Sequence, residues 1–181
     1  MCQLLGMDCN TPTDIVFSFE GFRLRGGLTD NHADGFGIAF FEGHGVRLLQ
    51  DDKPCASSPV ADLVQQYKIK SENVIAHIRK ATQGQVHLVN THPFVRELWG
   101  EYWVFAHNGN LRGFKPAEGE YFTPVGTTDS EEAFCYLTGT ATPGVFAINL
   151  SVNILLKQLQ KSQLSCASMG YLIICFRMAT G

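Results

Sequence analysis

The chain has 181 residues, 45 % hydrophobic and 17 % charged, enough apolar material for one folded core and too little charge for a disordered tail. Fourteen Lys and Arg against 17 Asp and Glu give a net charge of −3, which excludes the basic face of a typical nucleic-acid binder. The first twenty residues carry Asp8, Asp14 and Glu20 and no Lys or Arg, unlike a signal peptide, and no apolar run near the ends is long enough to span a bilayer. A cytoplasmic globular domain with no membrane or nucleic-acid partner is therefore expected.

Met1 to Met7 predicts a strand, and Ile15, Val16, Phe19 and Phe22 predict a helix from about Thr13, stopped by Gly26-Gly27. Phe36–Phe41 and Val46–Gln50 flank Glu42-Gly43-His44-Gly45 as a hairpin. Ser57, Ser58 and Pro59 are expected to start a helix ahead of Val60, Leu63 and Val64. Val74 to Lys80 alternates, with Val74, Ala76 and Ile78 on one face and Ile75, His77 and Arg79 on the other. Trp103 to His107 is a strand ending at Asn108-Gly109, a strong cue for a tight hairpin turn. Asp129 or Ser130 is expected to cap a helix through Ala133, Phe134 and Leu137, and Thr142-Pro143 to open another through Val145, Ile148 and Leu155. Central strands bracketed by helices favour an α+β fold over a parallel βαβ sheet.

None of the six cysteines sits at a C-x-x-C spacing, and His77, His87, His92 and His107 are dispersed, so no metal site and no cofactor are expected. Cys2 stands apart. Removal of Met1 would leave a thiol and a free α-amine on one carbon, and an α-amine of pKa about 7.7–8.0 can act as the base for its own thiol. The alternative is a small residue that merely follows the initiator. Acyl transfer also needs oxyanion donors, for which Asn108 and Gly109 are candidates. Arg79 can grip a carboxylate through a bidentate fork, and Asp129 can bind an ammonium. Taken singly, each is more readily read as a turn, a solvated strand residue or an ordinary helix cap.

Their order carries more weight. Cys2, the H-x-R-x-A-T-x-G run at 77–84, N-x-H-P-F at 90–94, H-N-G at 107–109 and T-T-D-S-E at 127–131 together resemble the class-II glutamine amidotransferases, N-terminal nucleophile (Ntn) hydrolases. The opening M-C-x-L-L-G-M and D-G-F-G-I-A at 34–39 resemble the stand-alone branch, which has no fused synthase. The resemblance implies a four-layer αββα sandwich of two antiparallel sheets, with Cys2 as nucleophile and Asn108 with Gly109 as oxyanion hole. It implies Arg79, with Thr82 nearby, at the substrate α-carboxylate, Asp129 at the α-ammonium, and His92 near the site.

The implied reaction is hydrolysis of a γ-glutamyl amide, glutamine by default, giving glutamate and ammonia through a thioester. A γ-glutamyl peptide of the glutathione kind is the alternative substrate. A non-catalytic glutamine-binding or scaffold subunit is the alternative of another class. Any ammonia acceptor would be a separate synthase subunit, and a homodimer is compatible with the pattern. Fused relatives carry R-G-x-D-x-x-G where this chain has Asn31 to Gly37, and the missing arginine speaks against synthase coupling.

The resemblance is expected to cover residues 1–163 as a truncated amidotransferase domain, leaving 164–181 as an atypical tail. Back-translated one frame over, Ser168 to Gly181 permits a segment with an F-N-x-L-L-S-x-G pattern like the family's next strand, so a frameshift is expected near Gln163 to Ser168. A tail read in frame has to supply a sheet strand itself, or a sandwich edge stays open.

Overall fold

In the computed structural model, the described residues are 2–82, 84–111, 114 and 122–140, with the backbone of 172–177. Apolar residues run almost without interruption along the central strands, and both faces of those strands are buried, which is the signature of a sheet covered on two sides. One sheet has the order β1-β4-β2-β3, built from β1 (Gln3–Asp14), β2 (Phe36–Glu42), β3 (Gly45–Asp51) and β4 (Lys70–Ile78). The other has the order β5-β6-β7, from β5 (Phe94–Leu98), β6 (Glu101–Asn108) and β7 (Leu172–Arg177). Every pairing is antiparallel.

The layers follow from residue parity. Phe36, Ile38 and Phe40 of β2 and Val74, Ala76 and Ile78 of β4 pack against α1 (Val16–Leu24) and α2 (Pro59–Tyr67) through Phe19, Phe22, Ala61 and Val64. Their neighbours Ala39, Phe41 and Ile75 meet Val104 and Ala106 of β6 between the sheets. On the far side, Trp103 and Phe105 pack under α3 (Asp129–Gly139), where the Phe105 and Phe134 rings stack with centroids 5.0 Å apart. The result is the αββα order, in an α+β chain.

Local departures from the sequence expectations have identifiable causes. β1 runs on to Asp14 because Thr13 and Asp14 rejoin Ser71 and Lys70 after an irregularity beyond Asp8. The following helix consequently starts at Val16, whose N–H is bonded by Asp14 Oδ1 at 3.2 Å. α2 begins as expected with Ser58 as N-cap and Pro59 in its first turn, but it buries Ala61 and Val64 while Leu63 is 48 % exposed. The cap of α3 is Thr128, whose hydroxyl accepts the Glu131 N–H, instead of Asp129 or Ser130. Asn108-Gly109 does not close a hairpin among the described residues, because β6 pairs with β5 and with β7, the latter from the tail. The tight turn lies instead at Trp99-Gly100, between β5 and β6, where both residues have positive φ (59° and 78°) as a type I′ turn demands. The helix expected from Thr142 lies outside the described residues.

Three histidines far apart in sequence lie in this interior. The His77 and His92 rings are 4.4 Å apart, and His92 also stacks on Phe94 at 4.5 Å. His107 bonds Ser130 Oγ through Nδ1 at 2.9 Å. Burial drives all three below the ordinary histidine range: His77 to about 3, with His107 and Arg79 adding to the shift and a backbone contact with His107 opposing it, and His107 to about 4, with Asp129 opposing. His92 falls well below its usual value, with His77, His107 and Arg79 contributing after burial.

Two predictions follow from this packing. Gly37 lies where the 92–93 backbone crosses β2, and a Cβ there would sit 2.3 Å from the His92 carbonyl oxygen. Gly37→Ala is expected to destabilise the chain by about 1–3 kcal/mol, the usual cost of overpacking, read as a lower urea midpoint; an unchanged midpoint would contradict the crossing. The histidines are neutral in the fold but titrate near 6.5 when unfolded, so their contribution is complete above that pH and is lost as pH falls toward 4 and then 3. Thermal stability is expected to be flat above pH 7 and to fall between pH 6.5 and 5, by up to about 1.4 kcal/mol per pH unit for each histidine. A melting temperature constant across that window would contradict the assignment.

Candidate active site

The register of β1 against β4 pairs Gln3 with Ile78, so the chain start lies beside the residues that leave β4. Cys2, half-buried, accepts the Lys80 N–H at 3.3 Å through Sγ, and its thiol faces the Lys80 carbonyl at 3.6 Å. Burial pushes the thiol above its ordinary pKa. The Lys80 N–H, the N-terminal ammonium and Arg79 pull it down, and the Asp34 carboxylate pushes it up. The balance leaves a protonated thiol at neutral pH, which needs a base before it can attack a carbonyl.

Asn108, at the end of β6, donates from Nδ2 to the Cys2 carbonyl at 2.9 Å, joining the second sheet to the backbone of Cys2. The amide keeps a second N–H. Its Oδ1 is buried without a hydrogen-bond partner among the described residues. Gly109 follows, half-buried, in the bend beyond β6.

Arg79 is 3 % exposed, and its guanidinium is oriented by the Gln85 carbonyl at 3.0 Å and the Gly84 carbonyl at 3.3 Å. Its main chain is fixed from the other side, because the Arg79 N–H donates to Gly35 O at 2.8 Å and the Asp34 N–H to Arg79 O at 3.3 Å. Asp34 also accepts the Ala81 N–H at 2.7 Å, and so holds the turn that carries both Arg79 and Lys80. Thr82 is exposed on the loop just beyond.

Asp129 is the first residue of α3 and accepts the Leu111 N–H at 2.7 Å and the Ser130 hydroxyl at 3.3 Å. It thereby ties the segment after Asn108 to the helix. His92 is 4 % exposed, sandwiched between His77 and Phe94, with neither ring nitrogen hydrogen-bonded to a described residue. The structure thus brings Cys2, Arg79 and Asn108 together, attaches Asp129 through Leu111, and sets His92 in the packed interior behind them.

Two residues inside recognised motifs gain structural roles that their types alone did not assign. Asp34 opens D-G-F-G-I-A, where an Asp before a glycine reads as a turn; its partner Ala81 is 47 positions away. Asn90 opens N-x-H-P-F, and its partners lie at Gln85 and Thr127. Among the described residues, no group of His, Cys, Asp and Glu is arranged to hold a metal ion, and no helix is long and apolar enough to cross a membrane.

Comparison with known proteins agrees with this geometry. The family model for class-II glutamine amidotransferases matches residues 1–177. The chain is 67 % identical over 137 residues to a "Putative glutamine amidotransferase" of Haemophilus influenzae, covering 76 % of this chain and 47 % of the relative. It is 59 % identical over 137 residues to the "Putative glutamine amidotransferase YafJ" of Escherichia coli, covering 54 % of that protein. The chain therefore spans about half the length of these relatives. The crystal structure of a "predicted glutamine amidotransferase" from Pseudomonas aeruginosa superposes with a TM-score of 0.59 at 42 % identity, over 96 % of this chain and 69 % of that one. With the αββα layers and a cysteine just before β1, the chain belongs to the class-II glutamine amidotransferases, on the Ntn-hydrolase fold.

Proposed function

We propose that Cys2, made N-terminal by removal of Met1, hydrolyses the side-chain amide of glutamine or a related γ-glutamyl compound. The observation that carries this reading is the placement of the Cys2 sulfur on the Lys80 N–H, next to Arg79, with Asn108 bonded to the Cys2 carbonyl. The free α-amine, with a pKa of about 7.7–8.0, takes the thiol proton as sulfur attacks the amide carbon. The oxyanion forms against the spare Asn108 N–H and the Gly109 backbone. The α-amine then passes the proton to the leaving nitrogen, ammonia departs, and a γ-glutamyl thioester remains. Water adds to the thioester, glutamate leaves, and the thiol is restored.

Arg79 and Asp129 are assigned to the substrate α-carboxylate and α-ammonium, with Thr82 at the edge of the carboxylate pocket and His92 as packing behind it. Both charged residues read only the glutamyl half, so a γ-glutamyl peptide is a substrate of the same chemistry, with an amine leaving in place of ammonia. Any use of the ammonia in synthesis is assigned to a separate subunit. Residues 1–163 are assigned to the amidotransferase domain.

The test is glutamate release by the full chain, with the intact mass measured alongside. The mass is expected to lack Met1, and Cys2→Ala is expected to release no glutamate. Asn108→Ala is expected to lower kcat by about 10²–10³-fold, the usual loss for one oxyanion donor. Arg79→Ala is expected to raise KM for glutamine by about 10–100-fold, in keeping with hydrogen bonds to a charged group. A retained Met1 with undiminished glutamate release would overturn the mechanism, as would an active Cys2→Ala.

A further inference from the structure

We infer that Asn90 is a positioning residue that fixes the separation between the carboxylate-reading and ammonium-reading arms of the site, and so sets selectivity for an α-amino acid. The inference rests on the roles just proposed for Arg79 and Asp129. Asn90 ends the short turn Leu88–Asn90 and is 2 % exposed. Its side-chain amide is engaged at both ends. Nδ2 donates to the Gln85 carbonyl at 3.0 Å and to Thr127 Oγ1 at 3.3 Å, and Oδ1 accepts the Thr127 N–H at 2.8 Å. The Gln85 carbonyl is also the acceptor that orients Arg79, at 3.0 Å from Nη1. Thr127 precedes Thr128, the N-cap of α3, and Asp129, its first residue. One buried amide thus spans from the acceptor of the Arg79 guanidinium to the backbone that delivers Asp129.

The far side of this span is also fixed. Glu131 accepts the Val125 and Gly126 N–H groups at 3.1 and 2.7 Å, and its carboxylate is paired with Arg96 at 2.5 Å. Gly126 allows the contact, since a Cβ there would stand 2.3 Å from Asn90 Oδ1. The loop therefore seats directly on the Asn90 amide. Only an amide of this length supplies one acceptor and two donors at that spot. Aspartate would keep the acceptor for Thr127 and set a carboxylate oxygen against the Gln85 carbonyl, releasing the Arg79 arm first.

The chemistry at Cys2 does not pass through Asn90, so binding of the α-substituents should suffer and bond cleavage should not. The experiment compares Asn90→Asp and wild type, as full chains, on L-glutamine and on its desamino analogue 4-carbamoylbutanoate, with iodoacetamide alkylation of Cys2 as the control for the thiol. Asn90→Asp is expected to raise KM for glutamine about tenfold, the effect of losing one or two such bonds, with kcat and the alkylation rate near wild type. The preference for glutamine over the desamino analogue should fall by a similar factor, which a general loosening of the fold would not produce. Thr127→Val removes only one acceptor from an exposed side chain and should give a smaller fall in the same preference. A preserved preference in folded Asn90→Asp would overturn the inference, and so would a kcat that falls in step with alkylation. Where Asn90→Asp does not fold, an unchanged preference in Thr127→Val would overturn it. A wild-type chain that releases ammonia from neither compound overturns the proposed function itself, and this inference with it.

Discussion

The antiparallel pairing of β1 with β4 is the constraint on which the site depends. It sets Gln3 opposite Ile78, and so puts the residue before β1 beside the residues after β4. The cysteine sulfur then meets a backbone N–H at Lys80 without any side chain being needed to hold it. A one-residue slip in this pairing would turn Leu5 and Met7 from the helix layer toward the other sheet, so the hydrophobic pattern that fixes the register also fixes the position of Cys2.

Around that point, the structure uses partly buried hydrogen bonds where a fold of this size could use more apolar packing. Asp34 holds the turn after β4, Asn108 links the two sheets at the Cys2 carbonyl, and Asn90 and Glu131 hold the loop that leads into α3. Each of these groups is committed to specific partners, and an unmatched replacement leaves a buried donor or acceptor unsatisfied. Backbone held in this way is preorganised, which suits chemistry that depends on the placement of a thiol and an oxyanion. The neutral histidines have a related character. They fill the interior as polar aromatic rings whose protonation is opposed by burial.

Much of the fold was legible in the residues because the signals were local. Phe36–Phe41 is an apolar run up to a glycine-rich turn, and β2 and β3 form that hairpin; Ser58-Pro59 marks a helix start, and α2 begins there. Where the signal competed with distant partners, it misled. Asn108-Gly109 has the composition of a tight turn, but the neighbour of β6 comes from Leu172–Arg177. The actual tight turn contains Trp99, a residue whose type gives no hint of positive φ. Thr128 caps α3 while Asp129, the better cap by composition, is taken by Leu111. The candidate site was readable as an ordered set of motifs, and Cys2, Arg79 and Asn108 do converge. The roles of Asp34 and Asn90 were not, since Ala81 lies 47 positions from Asp34 and Thr127 lies 37 from Asn90.

The central claim is that Cys2 is the reacting thiol of a site that reads a glutamyl group. The described chain has four free cysteines, of which Cys55 is buried with its thiol pushed up to about 12, and Cys135 is buried as well. The direct measurement is peptide mapping of limited iodoacetamide labelling, with and without L-glutamate at saturating concentration. The account predicts that glutamate suppresses labelling of Cys2 and leaves Cys9 unchanged. Labelling of Cys2 that is indifferent to glutamate, in a folded chain, would contradict it.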